Sequence, residues 1–114
     1  MAIPELVLKS AERLLTRYCA GRIPPCPRNQ VRVSFQVRDE AITLTEERPD
    51  LASPGRWLGV PVAQFRFHAE LLQWTLHYPD HARRWIFYPN VPPTLDLGRL
   101  LRHLDADPLH LFWG

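Results

Sequence analysis

The feature that most limits what this chain can fold into is a run of two-residue alternation between Val31 and Tyr88 with no helical stripe inside it. Val31, Val33, Phe35 and Val37 alternate with Arg32, Ser34, Gln36 and Arg38, the pattern of a strand buried on one face only. Asp39-Glu40 interrupts it, and Ile42 and Leu44 then alternate with Thr43 and Thr45 as the return arm of a hairpin. Pro49, Pro54, Gly55 and Gly59 mark 48–59 as the longest loop. A third strand is expected over 62–68, with Ala63, Phe65 and Phe67 opposite Gln64, Arg66 and His68. The fourth, 72–78, sets Trp74, Leu76 and Tyr78 against Gln73, Thr75 and His77. After a turn at 79–82, the fifth, 83–88, sets Trp85 and Phe87 against Arg84, Ile86 and Tyr88. Parallel neighbours need crossovers of a dozen residues or more. Five strands in direct succession leave no room for them, so the sheet reads as an antiparallel meander.

Helical spacing appears only outside this run. Val7, Ala11, Leu14, Leu15 and Tyr18, with Ile3 a turn earlier, form one apolar stripe, supported by the i,i+4 pair Glu5 and Lys9. Gly21 and the prolines of 24–27 end that helix. Thr94 is the expected N-cap of a second helix with the stripe Leu97, Leu100, Leu101 and Leu104, stopped by Asp105-Ala106-Asp107-Pro108. The fold class is therefore α+β: an antiparallel meander sheet of about five strands with an N-terminal and a C-terminal helix packed on one face. Residues 1–114 form a single globular domain. The uncovered face is expected to carry Arg32, Gln36, Arg38, Thr43, Thr45, Gln64, Arg66, His68, Gln73, Thr75, His77, Arg84 and Tyr88.

Composition narrows the function classes. A hydrophobic fraction of 46% with 23% charged residues is ordinary globular usage and excludes intrinsic disorder. The net charge of +2 is too small to announce a nucleic-acid protein by itself, although 13 of the 14 basic residues are arginine, the better phosphate ligand. No stretch approaches the ~18 apolar residues of a membrane span. The first residues lack the charged and apolar regions of a secretory leader. Cys19 and Cys26 match neither a zinc pair nor a redox motif, so free thiols in a cytoplasmic protein are expected.

Several signposts recur in a specific order: Cys26-Pro27; Leu44-Thr45-Glu46-Glu47-Arg48-Pro49; Pro61-Val62-Ala63 before Phe65-Arg66-Phe67; Trp74-x-Leu76-x-Tyr78; Asp80 with Arg84-Trp85 and Tyr88; Asp105-x-Asp107-Pro108; and Phe112-Trp113-Gly114. In that order the chain resembles a family of small bacterial proteins catalogued as domain of unknown function 3024. The resemblance implies a bacterial protein and brings no activity, cofactor or substrate with it.

Glu46, Glu47 and Arg48 stand where a strand meets the long loop, and their simplest role is an ion pair that pins it. His68 and His77 can face one another across the third and fourth strands, but a metal site would need a third ligand from Glu47 or Asp80. No paired histidine spacing, nucleophile elbow or glycine-rich phosphate loop is present, and neither a metal nor a cofactor is expected. The open face is the stronger candidate. Arg32, Arg38, Arg66, His68, His77, Arg84 and Tyr88 would make a ligand-binding surface, with Tyr88 stacking on bases and the arginines meeting phosphates. The expected function is a non-catalytic binding or accessory module whose partner is single-stranded nucleic acid or protein, without membrane association. An edge strand, 30–37 or 83–88, offers a route to a homodimer. The alternative is a metal-assisted hydrolase built from Glu46, Glu47, His68, His77 and Asp80. Asp105 and Asp107 oppose the dipole at a helix C-terminus and are expected to be held as a structural clasp by Arg17, Arg22 or backbone N–H groups.

Overall fold

A computed structural model describes residues 3–22 and 31–113; the 24–27 crossing and Cys26 lie outside them. Helix α1 spans Glu5–Gly21, followed by strands β1 (Arg32–Arg38), β2 (Ala41–Pro49), β3 (Trp57–His68), β4 (Gln73–Pro79) and β5 (Trp85–Phe87), then helix α2 (Leu97–Ala106). The strands form one antiparallel sheet in the order β1-β2-β3-β4-β5, the expected α+β meander. No described helix is long and apolar enough to cross a membrane.

Both helices cover the same face. Ala11, Leu15 and Cys19 of α1 and Leu97, Leu100, Leu101 and Leu104 of α2 join Ile42, Leu44, Phe65, Phe67, Trp74 and Leu76 in a single buried cluster. The apolar stripe places these helical residues on one side, and burying each full-sized aliphatic side chain contributes about 1.5–3 kcal/mol. Phe67 and Trp74, register partners on β3 and β4, meet edge to face with centroids 4.9 Å apart.

Several boundaries differ from expectation, among them that of β5, expected over 83–88 and formed only by Trp85–Phe87. The 48–59 segment is not mostly loop: β2 runs on to Pro49 and β3 starts at Trp57, so the loop shrinks to 50–56. Strand pairing tolerates the prolines because Pro49 ends its strand and Pro61 sits beside a register shift at Leu44/Thr45. Leu72, expected to open β4, lies instead in the turn with φ 51°. Thr94 is not the helix cap. Its backbone exchanges two hydrogen bonds with Trp74 (2.7 and 3.1 Å), and Asp96 takes the N-cap position.

The acids at the end of α2 are clasped as expected. Asp105 accepts hydrogen bonds from Tyr18 (2.7 Å) and Arg22 (3.2 Å), tying the last helix to the first. The bond to Asp105 and burial together hold the Tyr18 phenol far above its usual pKa, burial being the larger cause. Asp107, in the left-handed region at φ 36°, accepts from the backbone N–H groups of Leu111 (2.9 Å), Phe112 (3.2 Å) and Trp113 (2.9 Å). Phe112 is thereby folded back against Tyr88 and Tyr78.

Candidate functional site

The face away from the helices is built from cross-strand rows. Arg38 pairs with Ala41, and Ala41 with Arg66; one step along, Gln36, Thr43, Gln64, His77 and Phe87 stand in line. Arg32, Arg38, Arg66, His68 and His77 all belong to this face, as the alternation predicts.

Tyr88 does not. It is 1% exposed, packed between Tyr78 and Phe112 in the core. The pairing of β4 with β5 decides this: His77 faces Phe87, so the next pair, where Tyr88 donates its backbone N–H to Leu76 (2.8 Å), falls on the helix side. A shift of one residue exchanges every side chain between the two faces. Trp85 and Phe87, expected in the core, therefore look outward, Phe87 with 43% of its surface exposed. Arg84 also leaves the face. It lies in the 80–84 turn, paired with Asp80 at 3.1 Å. The Asp80 carboxylate also accepts the backbone N–H groups of Ala82 and Arg84, and these bonds, that of Arg84 foremost, lower its pKa.

The polar groups of the face brace one another. Gln64 donates to Thr43 (3.1 Å) and accepts from Arg66 Nε (2.6 Å), fixing that guanidinium over the sheet. Thr75 Oγ1 lies 2.9 Å from Nε2 of both His68 and His77. A hydroxyl has a single proton, so it can donate to one imidazole while accepting from the other. Burial, with Arg66 and His68 nearby, lowers the His77 pKa to about 4, so this ring is neutral at pH 7. Its edge packs against Phe87 at a centroid distance of 5.8 Å. At the far end, Arg32 stacks on Trp57 (3.8 Å) and pairs with Glu47 (3.3 Å), which also accepts from Ser34 (2.8 Å).

The other site residues are dispersed. Glu46 pairs with Arg48 at 2.8 Å on the face opposite Glu47, because adjacent strand residues point to opposite sides. Glu46, Glu47 and Asp80 are each engaged locally, and they do not gather around the His68–Thr75–His77 chain. Between the β1–β2 turn and Trp85 the face sinks into a hollow of about 580 Å³, lined among others by Arg38, Glu40, Gln64, Arg66 and Trp85. Sequence reasoning placed Trp85, Phe87 and Tyr88 each on the wrong side of the sheet. No sequence signal decides this, because the register of β5 on β4 sets the face and β5 is only three residues long.

The family described as domain of unknown function (DUF3024) matches residues 3–114. The chain belongs to this family. No curated protein and no solved structure matches the chain. In this DUF3024 member the Trp74-x-Leu76-x-Tyr78 signpost is the helix-facing row of β4, and Asp105-x-Asp107 is the clasp at the C-terminal end of α2. These signposts are framework, whereas Arg66 and Trp85 look onto the open face.

Proposed function

We propose that this DUF3024 protein is a non-catalytic binding module of the bacterial cytoplasm that holds single-stranded nucleic acid on its open sheet face. The observation that carries the reading is the outward turn of Trp85 and Phe87, with Trp85 lining the same hollow as Arg66 and Arg38. Aromatic rings left in water beside guanidinium groups suit a strand whose bases stack and whose phosphates are anionic. Base stacking on an aromatic side chain contributes about 1–3 kcal/mol per base. Phosphate contacts release counterions, so affinity falls with salt. The small net charge means that the attraction is local to this face. The metal-assisted alternative requires its carboxylates and imidazoles to converge, and their separate pairings favour binding over hydrolysis.

The test is a backbone amide titration with a short mixed-sequence single-stranded oligonucleotide, first at low and then at physiological salt. Shifts at Arg38, Arg66, His77, Trp85 and Phe87 that shrink as salt rises are expected. An unchanged spectrum at low salt, where electrostatic binding is strongest, would sink the proposal.

A further inference from the structure

The hollow on this face is asymmetric in a way that a uniform platform does not need. Its floor is low because Ala41 sits between Arg38 and Arg66 in the cross-strand row. The two arginines are two strands apart, about 10 Å at the backbone, close enough for their long side chains to meet over the alanine methyl. Among the described residues the Arg38 guanidinium has no hydrogen-bond or ion-pair partner. Arg66 is steered by Gln64 through Nε, and a guanidinium has four further N–H donors. Trp85 lines the hollow as its aromatic wall. On another side the β1–β2 turn brings Asp39 and Glu40 to the rim. A polyanion entering from the rest of the face meets two cations and an indole, then the Asp39 carboxylate of the β1–β2 turn.

We infer that the hollow receives the phosphorylated end of a single strand, with the terminal base against Trp85 and the terminal phosphomonoester between Arg38 and Arg66. This rests on the binding reading above and adds to it that the site takes strand ends. A phosphomonoester carries about −1.5 to −2 charges at pH 7, against −1 for an internal diester. Two guanidinium groups therefore match the end better than the interior, and each can bind it in a two-pronged fashion.

The test compares single-stranded heptanucleotides of one mixed sequence, labelled internally, with a 5′-phosphate, a 3′-phosphate or hydroxyls at both ends, by fluorescence polarisation at fixed salt. A terminal phosphate at one end is expected to tighten binding about tenfold, the size of one charge-assisted contact. Arg38→Gln is expected to bring the ratio of phosphorylated to hydroxyl-ended affinity close to one, and Arg38→Lys to restore part of it. The amide spectrum of the glutamine variant checks that the fold is kept. Equal affinity for the three ends would overturn the end-binding inference while leaving the face a nucleic-acid surface. No binding by any of them would remove both.

Discussion

Asp107 shows how one side chain can organise a segment. Its left-handed backbone is a conformation that aspartate tolerates better than most residues, and its carboxylate collects three consecutive backbone N–H groups. Replacing it with alanine leaves those donors without their acceptor and is expected to cost about 2–4 kcal/mol, with asparagine losing less because one oxygen remains. Urea unfolding followed by tryptophan fluorescence would measure this, since Trp113 is held by the same carboxylate. His77 makes a different prediction. Its folded pKa of about 4 is below the unfolded value near 6.5, so between these pH values the unfolded chain binds the extra proton. Stability should be full above pH 6.5 and fall as pH drops toward 4, by up to about 3 kcal/mol. Arg66 and His68 oppose protonation alongside burial, while Thr75 and Phe87 complete the surroundings of the ring. Urea midpoints at pH 7 and 4.5 test it, and His77→Gln should flatten the difference. An equally steep fall in that variant would assign the acid sensitivity elsewhere.

At the scale of elements, β1 is an edge whose own charges bear on self-association. A two-fold pairing of β1 with a second copy centred on Phe35 would set Arg32 directly against Arg38 of the other chain, twice. Like charges so placed destabilise by about 0.2–1 kcal/mol per pair. Arg38→Glu converts both into opposite-charge pairs, so sedimentation equilibrium should show this variant associating more tightly than the parent chain if that edge is a dimer seam. The elements themselves were largely legible in the sequence. Alternation located all five strands, the leucine and alanine stripes located both helices, and Asp39-Glu40 gave the first hairpin turn. What it hid followed from pairing. Alternation says that Trp85 and Phe87 share a face, but only the partner strand says which face, and three residues of β5 carry too little pattern to decide it. The outer part of the β2–β3 hairpin was hidden by its prolines and glycines, which usually mark loops and here sit at a strand end and beside a register shift. The candidate arginines and histidines of β1, β3 and β4 were readable for the opposite reason: their strands are long, with one face apolar enough to fix the other.

The whole molecule divides its labour by face. The helices shield one side of the sheet, leaving the other to present a braced set of polar groups with aromatics at two ends, Trp57 over Arg32 and Trp85 beside the hollow. Gln64 and Thr75 hold the Arg66, His68 and His77 side chains in position on this face. The tie between α1 and α2 has a consequence for how the protein is made. Tyr18 and Arg22 reach Asp105 across 87 and 83 positions of chain, so α1 leaves the ribosome well before the residue that fastens it. During that interval Ala11, Leu15 and Cys19 have no finished sheet or second helix to cover them. The period of greatest exposure to misassociation therefore falls within synthesis, and any slowing of translation through the strands lengthens it.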